Sequence, residues 1–458
     1  MNTSETQHKK MIETPVAPLI TSLAIPTVIS MLISAIYNLA DTYFVSGLSD
    51  SATTAVSVVF SLMSLIQAIG FTLGMGCSTI LSRAYGRGEN KLGNKIATKA
   101  LIMGVCLGLL LSIFSLIFNR ELMLLLGSSL TALENAMDYS KYIIIACPFM
   151  ISSFIMNNIL RSEGKAKLSM FSMTLGGLLN IALDPLFIFT LNMDVAGAGL
   201  ATMISQMVSF IILLSFFVFN KTNTKISFKD VDSSFKDYLQ IVKEGSPTLF
   251  RQGFASISNT ILNQLAKPFG DPFMAALGIT AKVYMFIRNI VIGIGQGYQP
   301  VVGYNYGAKK FDRIRKAFYF TLIVTSIGSI IAAILTIFAP RTIINLFNAS
   351  SEAKDLGVIA VRYLGISLPF LGFTTVVNQS LQVMGYSKSA SFLASLRQGI
   401  LYIPLVFILG LNLQQTGLSL TQPIADILTF LITIFFYFYL MKILKNEEKK
   451  VAKEKVIN

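Results

Sequence analysis

Apolar runs of twenty or more residues recur along the whole chain and are separated by short polar segments. A helix needs roughly 20 apolar residues to cross the hydrocarbon of a bilayer, so each run predicts a transmembrane helix. Twelve spans are predicted, at about 16–46, 51–80, 96–119, 139–160, 167–190, 195–219, 238–265, 273–303, 317–339, 357–382, 388–411 and 418–443. The pattern therefore predicts an all-α polytopic membrane protein with twelve transmembrane helices.

Two copies of one six-helix unit account for these spans. Shifting the first half by 221 residues aligns Pro, Gly, Asn and Arg positions that would rarely align by chance. The aligned pairs are Pro26 and Pro247, Asn38 and Asn259, Gly74 and Gly295, Gly76 and Gly297, Arg120 and Arg341, and Asn157 and Asn378. Six helices per copy give both copies the same orientation, so we expect a parallel repeat with a pseudo-two-fold axis along the membrane normal. Such repeats are typical of transporters that work by alternating access.

The repeat and the polar segments predict five parts of the chain. A cytoplasmic N-terminal tail (1–15) precedes an N-terminal six-helix lobe (16–219) and a cytoplasmic linker (220–237). A C-terminal six-helix lobe (238–443) and a cytoplasmic tail (444–458) follow. The N-terminus has no cleavage-like site, so we interpret it as mature protein rather than as a signal peptide.

Composition and charge agree with a membrane protein. Hydrophobic residues make up 53% of the chain and charged residues only 13%, about half of what a soluble domain carries. The net charge of +14 does not indicate nucleic-acid binding, because most Lys and Arg lie on alternate loops and at the termini. These basic segments are Lys9-Lys10, 83–99, 161–167, 221–243, 309–316, Lys388 and the C-terminal tail. The positive-inside rule then predicts a multi-pass protein of the plasma membrane with both termini cytoplasmic.

Residue types that carry enzyme chemistry are scarce. Cys77, Cys106 and Cys147 lie in or beside apolar segments without metal-ligand spacing, and we expect them to be small buried residues. The single histidine, His8, lies in the polar tail, so no histidine-based metal site or proton relay is available. No clustered acidic or histidine metal site indicates a membrane-embedded enzyme, and we expect no cofactor.

Two carboxylates lie inside predicted spans of the first copy. Asp41 in helix 1 and Asp184 in helix 5 each cost roughly 2.5–3.5 kcal/mol to insert at a helix centre, so we expect them to be functional. Both sit roughly 8–10 Å inside the outer membrane face at 1.5 Å per residue, and Asn180 and Thr202 lie at a similar depth. The sequence therefore predicts one site with two carboxylates, an amide and a hydroxyl. Plain hydrogen bonding between helices is the alternative for the polar positions.

Prolines stand in the same two helices. Pro185 follows Asp184, and its ring should kink helix 5 and free the carbonyl of Ile181. Pro26 should bend helix 1 in the same manner, so both prolines are predicted hinges. A purely structural kink, with the aspartate bonded to backbone, is the alternative.

The second copy has a different chemistry. Leu262 and Leu405 stand where Asp41 and Asp184 would predict acids. Its intramembrane charges are mostly basic, with one acid deep in a span: Arg251, Lys282, Arg288, Arg397 and the acid Asp426. The run "GIGQG" at 293–297 has no strand before it and predicts close helix packing rather than nucleotide binding.

The chain resembles the multidrug and toxic compound extrusion (MATE) family over essentially its whole length. The resemblance lies in "AIPTVISMLISAIYNLADTYFVSGL", "SRAYGRGE", "RSEGKAKLSM", "LNIALDPLFIF", "GIGQGYQPVVGYNYGAKK" and "QVMGYSKSA". An aspartate in helix 1 with Asn-x-x-x-Asp in helix 5 is similar to the DinF-like branch. A related branch has acids in helices 7 and 10, where this chain has only Glu244 at a helix end and Asn378.

The resemblance implies an antiporter that exports amphipathic, mostly cationic drugs in exchange for H⁺ or Na⁺. The coupling site would consist of Asp41, Asn180, Asp184 and Thr202, with Tyr139 nearby, and Na⁺ would bind at the first three. Tyr139 alternatively serves only as an interfacial tyrosine. Carboxylates close together in a low-dielectric site cannot both ionise cheaply, so the pair should titrate as a unit. The partners would be drugs and the lipid bilayer, without nucleic acid, and the chain would act as a monomer.

Apolar and aromatic walls with few fixed polar groups suit varied drugs. The predicted substrate cavity consists of Tyr37, Asn38, Asn157, Met173, Met203, Gln206, Phe154 and Arg288. The alternative function is a flippase for a lipid-linked saccharide, since Arg251, Arg288 and Arg397 would suit a pyrophosphate headgroup.

Overall fold

The computed structural model describes residues 3–46, 48–232, 234–347 and 349–457. Regular structure in these ranges is entirely helical. The first half forms α1 (Thr3–Glu13), α2 (Val16–Ser46), α3 (Asp50–Gly86), α4 (Asn90–Ile117), α5 (Asn119–Leu125), α6 (Leu133–Ser162), α7 (Ala166–Pro185) and α8 (Asp194–Val218). The second half forms α9 (Phe235–Ala266), α10 (Asp271–Gly307), α11 (Phe311–Phe338), α12 (Pro340–Ile344), α13 (Ser351–Val383), α14 (Ser387–Ser395) and α15 (Tyr402–Ile457). Single π-helical turns, Leu186–Thr190 and Leu396–Ile400, follow α7 and α14, and short 3₁₀ turns lie at Phe228–Asp230 and Lys267–Phe269.

Ten stretches of the described chain are long and apolar enough to cross a membrane. The last of them, Ser387–Lys453, is too long for one crossing, and a non-helical backbone at Gln414 (φ 51°, ψ −128°) divides it into two. Helix α9 has 32 residues but more charges than the others, and it completes the predicted set of twelve. The predicted all-helical polytopic fold is confirmed.

Most helices are longer than the predicted spans. Helix α3 continues to Gly86 instead of 80, α4 begins at Asn90 instead of 96, and α10 continues to Gly307 instead of 303. Backbone hydrogen bonds within a helix do not require an apolar environment, so a helix ends at a residue that stops it and not at the membrane surface. The basic segments predicted as loops are therefore partly helical.

The repeat is visible in the helix bounds. A shift of 221 residues carries Asp50–Gly86 onto Asp271–Gly307 and Asn90–Ile117 onto Phe311–Phe338. Short helices α5 and α12 begin at equivalent positions, and the turns before α7 and α14 both contain a glycine with positive φ. In the first copy α6 packs against α3, α4 and α8, and in the second α13 packs against α10, α11 and α15. Each copy is therefore organised around one central helix.

The chain forms two compact units. The first contains the residues up to Lys10 and Ile25–Leu249, and the second contains Met11–Ala24 and the residues from Phe250 onward. Helices α2 and α9 thus each contribute one part to each unit, whereas the predicted lobes changed at the central linker. Glu244 of α9 shows why, because its carboxylate forms a 2.8 Å ion pair with Arg83 inside the first unit.

Glycines allow these helix parts to pack closely. A methyl group on Gly76 would lie 2.0 Å from the carbonyl oxygen of Ile241 within the first unit. In the second unit a methyl group on the equivalent Gly297 would lie 2.5 Å from the Cα of Ala24. The close packing predicted from the "GIGQG" run is confirmed.

Polar side chains fasten the predicted linker to the first unit. The buried Glu163 carboxylate accepts hydrogen bonds from the backbone N–H groups of Asn223 (2.8 Å) and Thr224 (2.7 Å). The fully buried Lys99 ammonium binds Asp237 at 2.7 Å and also contacts the Asp232 carboxylate. Lys99 is therefore not a loop cation, as its place in the basic segment 83–99 had indicated.

Three details outside the site complete the fold. Cys77 and Cys147 are buried as predicted, but the prediction is wrong for Cys106, which lies on the outward face of α4. The predicted tails are helical over Thr3–Glu13 and up to Ile457. Their outermost residues 1, 2 and 458 lie outside the described ranges.

Candidate functional site

Four helices of the first unit carry the predicted coupling residues. Asp41 lies near the end of α2, Tyr139 near the start of α6, Asn180 and Asp184 on the last turns of α7, and Thr202 on α8. All five side chains are buried, and Asp184 and Tyr139 have no exposed surface. The structure brings together every residue of this predicted group.

Glycines position these helices next to each other. A methyl group on Gly177 of α7 would lie 3.0 Å from Ile33 and 3.2 Å from Tyr37, both on α2. A methyl group on Gly199 of α8 would lie 2.8 Å from the ring of Tyr139 on α6. Small residues at these contacts let the backbones approach, so short polar side chains on different helices can reach each other.

Hydrogen bonds link the site in two groups. The Tyr139 hydroxyl donates to Asp41 Oδ2 at 2.9 Å. The Asn180 amide donates to Asp184 Oδ1 at 3.2 Å and to the Thr202 hydroxyl at 3.3 Å. Tyr139 also contacts Thr202, and the two carboxylates are close enough to interact electrostatically. Two acids, an amide and two hydroxyls therefore form one connected polar cluster.

Three buried oxygens of this cluster have no hydrogen-bond partner in the described part of the chain. They are Asp41 Oδ1, Asp184 Oδ2 and Asn180 Oδ1. All three are acceptors, and leaving a buried acceptor unpaired costs about 1–3 kcal/mol, more when it is charged. A proton or a cation would satisfy them, whereas a further acceptor would not.

The donor set also limits which ion fits. Among the described residues, no group of three or more His, Cys, Asp or Glu side chains could hold a metal ion. Carboxylate, amide and hydroxyl oxygens are hard ligands, and two acids give low charge. The cluster therefore suits H⁺ or a monovalent hard cation better than a transition metal.

Helix α7 does not simply kink at Pro185. It remains α-helical up to this residue and then widens into the π-helical turn Leu186–Thr190, in which the N–H of Leu191 bonds the carbonyl of Leu186 at 3.0 Å. Such turns are often found at functional sites. The second predicted hinge, Pro26, lies inside an unbroken α2 and two residues after the point where α2 changes unit.

The predicted substrate residues occupy separate places. Tyr37 contacts Gln206 and Asn38 and lies beside Asp41, at the edge of the carboxylate cluster. The Asn38 amide also donates to the carbonyl of Ser34 at 2.7 Å. Tyr37 and Gln206 are therefore the predicted cavity residues that adjoin the predicted coupling site.

Asn157 and Met173 lie elsewhere in the first unit and converge on Arg161. The Arg161 guanidinium donates to Ser169 Oγ at 3.2 Å and to Met173 Sδ at 3.2 Å, and Ser169 in turn donates to Asn157 at 2.8 Å. The charge pattern of the sequence places Arg161 in the basic loop 161–167, but in the structure this residue is 4% exposed at the end of α6. Its position four residues after Asn157, on the same helix face, was the available signal.

The remaining predicted cavity residues form no common group. Phe154 packs on Phe71 with ring centroids 4.6 Å apart, and Met203 is half-buried on α8. Arg288 belongs to the second unit, where it lines a cavity with Arg251 and Arg397.

The equivalent of the carboxylate cluster in the second unit is apolar. Leu262 and Leu405, which replace the two aspartates, pack against the same buried group around Phe273 and Tyr402. No acid stands at either position, so the two copies share a fold but not this chemistry.

Two copies of a six-helix membrane unit, with a buried carboxylate pair in only one of them, are features of a secondary membrane transporter. The chain belongs to the MatE family, which matches residues 26–186 and 247–408. The two matched ranges correspond to the two copies. This confirms the resemblance found in the sequence motifs and shows that the chain is a transporter rather than an enzyme.

Relatives and solved structures agree with this membership. The multidrug export protein MepA of Staphylococcus haemolyticus is 25% identical over 422 residues, which cover 91% of this chain and 92% of that protein. MepA of Staphylococcus aureus is 26% identical over 417 residues, which cover 90% of this chain and 92% of that protein.

Among solved structures, a MATE crystal structure in complex with MaL6 has a TM-score of 0.90 at 24% identity and covers 96% of this chain and 99% of its own. An outward-facing multidrug resistance MATE transporter has a TM-score of 0.89 at 25% identity, and the match covers 96% of this chain and 98% of that one.

Proposed function

We propose that this protein exports amphipathic, mostly cationic drugs in exchange for H⁺ or Na⁺ by alternating access. Family membership and the similarity to multidrug export proteins support drug export. The observation that carries the coupling proposal is the set of three unpaired, buried acceptor oxygens on Asp41, Asn180 and Asp184. Burying such groups is costly unless an ion satisfies them during part of the cycle.

The transported ion would bind where these oxygens lie. A proton would neutralise the carboxylate pair, or Na⁺ would take the oxygens of Asp41 and Asp184 with Asn180 and Thr202 as neutral ligands. Tyr139 would hold one oxygen of Asp41, which leaves the other free for the ion. Filling the site removes the cost of an unpaired carboxylate, and this difference in free energy would favour one conformation over the other.

Two structural features support a conformational response in the same helices. Pro26 lies next to the point where α2 changes unit, and the π turn begins two residues after Asp184. Tyr37 and Gln206 would relay the change to the drug, since they adjoin the carboxylates. Drug contacts would come from these residues and from Asn38, Asn157, Met173, Met203 and Phe154.

The finer assignments rest on the sequence. We assign the chain to the DinF-like branch because of its helix 1 aspartate and the Asn-x-x-x-Asp of helix 5. The distribution of Lys and Arg supports a plasma-membrane protein with both termini cytoplasmic. We propose a monomer as the functional state, because all groups of the coupling site come from one unit of one chain.

Replacing Asp41 with Asn tests the coupling role. The side chain keeps its size but loses its charge, so we expect drug resistance in an efflux-deficient host to fall to the level of the empty vector. Asp138→Asn is the matched control, because this acid of the same unit is 48% exposed and pairs only with Lys141 among the described residues. Both variants must reach the membrane at wild-type amounts, and full resistance in Asp41→Asn would refute the coupling role.

Purified protein in liposomes then identifies the ion. A pH gradient and a Na⁺ gradient are imposed separately, and only the gradient of the coupling ion should drive drug uptake. The alternative of a lipid-linked saccharide flippase predicts instead that the chain complements a flippase-deficient strain. Its support is the basic cavity of the second unit, whereas the matched relatives are named as multidrug exporters.

A further inference from the structure

The second unit contains a cavity that the coupling mechanism does not use. Three arginines from three different helical segments line it: Arg251 of α9, Arg288 of α10 and Arg397 of the π turn after α14. Neutral polar side chains complete the lining, among them Asn378, Gln379, Gln398 and Thr433. A cavity inside membrane-spanning helices with this lining is strongly basic.

Asp426 forms an ion pair with Arg397, and its oxygens are already used. Asp426 Oδ1 accepts from Arg397 Nε at 2.7 Å and from Gln422 at 2.9 Å. Its other oxygen accepts from the Tyr284 hydroxyl at 3.0 Å and from Ser367 at 3.4 Å. Asp426 therefore pairs with Arg397, and its carboxylate oxygens are occupied by other donors.

Two buried guanidinium nitrogens have no acceptor within the described ranges. They are Nε of Arg288 and Nη2 of Arg397. Uncompensated buried cations are costly, and the cost disappears when an anion with several acceptor oxygens fills the space. Free donors that come from two different helical segments favour a phosphate group over a flat carboxylate, because phosphate offers acceptors in three dimensions.

We propose that this cavity binds a phosphate group. The phosphate belongs either to a small soluble phosphate anion or to the headgroup of an anionic phospholipid. The site is separate in chemistry from the carboxylate cluster, and it does not depend on the proposed antiport, since no coupling residue takes part.

Binding by purified protein tests the site. Inorganic phosphate and pyrophosphate are titrated into wild-type protein in a neutral detergent, and the apparent Kd is measured from ligand-dependent thermal stabilisation. In a second arm, protein in phosphatidylcholine nanodiscs is titrated with short-chain phosphatidylglycerol. Saturable binding in the first arm alone identifies a soluble phosphate, and saturable binding in the second alone identifies a lipid headgroup.

Arg288→Gln is the decisive variant, because this arginine forms no hydrogen bond to Asp426 among those the structure shows and its loss does not break an ion pair. We expect its Kd to rise about tenfold or more, as for the loss of a charge-assisted hydrogen bond. Lys282→Gln is the matched control, since it removes one exposed charge from the same helix outside the cavity lining. It should bind like wild type.

Three results would overturn the proposal: no saturable binding in either arm, an unchanged Kd in Arg288→Gln, or an equal loss in Lys282→Gln. Arg288→Lys provides a second test should the Gln variant fail to fold. It keeps the charge but loses the guanidinium fork, so it should weaken phosphate binding as well. None of these outcomes depends on drug transport, and a failure of the antiport proposal would leave them unchanged.

Discussion

The same substitution, Asp to Asn, should have opposite effects on stability in the two units. Asp184 and Asp426 are both buried carboxylates, 0% and 5% exposed. Among the described residues, Asp184 accepts one hydrogen bond, of 3.2 Å, has one unpaired oxygen and lies near a second acid. Asp426 is paired with Arg397 at 2.7 Å and has no unpaired oxygen. The charge of Asp184 is therefore poorly compensated, whereas that of Asp426 is compensated by Arg397.

The expected magnitudes follow from these contacts. A charged aspartate at a helix centre costs about 2.5–3.5 kcal/mol on insertion scales, and a neutral amide removes most of this cost. Allowing for the imperfect hydrogen bonding of the new amide, Asp184→Asn should stabilise the ion-free protein by about 1–2 kcal/mol. Asp426→Asn leaves Arg397 buried without its partner, so it should destabilise by about 3 kcal/mol.

Thermal unfolding of the purified variants measures both effects. The assay is run at alkaline pH without Na⁺, so that neither coupling ion occupies the site of the first unit. Asp184→Asn should unfold at a higher temperature than wild type while it loses drug transport, because the site is kept for function at a cost in stability. If Asp184→Asn destabilised the protein as much as Asp426→Asn, the proposal that Asp184 carries an uncompensated charge in the ion-free protein would be refuted.

Two further predictions concern packing and the linker. Gly76→Ala should destabilise the protein by about 1–3 kcal/mol in thermal unfolding, because the new methyl group would lie 2.0 Å from the carbonyl oxygen of Ile241. Gly253→Ala is the control and should not destabilise the protein, because a methyl group at Gly253 would meet nothing within 4 Å. Equal effects of the two substitutions would contradict the packing argument. Lys95 holds the pKa of Asp232 well below its usual range. The stability that this acid contributes is full above the unfolded pKa of about 4 and is lost as the pH falls towards the folded pKa. Asp232→Asn should therefore be less stable than wild type by a constant amount between about pH 5 and 8, and this difference in stability should shrink only below about pH 4. A stability difference that varies across neutral pH would contradict this assignment.

The sequence predicted the carboxylate cluster because the cost of burying charge in a membrane leaves few explanations for Asp41 and Asp184. Helical periodicity and depth then placed Asn180 and Thr202 beside them, and the structure brings these side chains together. Tyr139 came from the resemblance alone, because a tyrosine near a helix end has an ordinary role at the interface.

Other features could not be read from the sequence. Arg161 and Lys99 look like loop cations, but the helices continue past the apolar runs and bury Arg161 beside Met173 of the next helix and Lys99 beside Asp237 of the linker. The change of unit within α2 and α9 depends on contacts such as that of Gly76 with Ile241, which hydropathy does not reveal.

The apolar group that contacts Leu262 and Leu405 has a consequence for the exchange ratio. With acids at these two positions in one copy only, the proposed coupling cluster would carry at most two protons per transport cycle, one for each carboxylate. One proton exchanged for a monovalent cationic drug moves no net charge, so the membrane voltage adds nothing to accumulation. A second proton would carry one charge inward and, at about 2.3 kcal/mol per 100 mV, would steepen the drug gradient by about fiftyfold. Under the proposed proton exchange, duplication of the fold without duplication of these two acids would set an upper bound on the drug gradient that the protein can build.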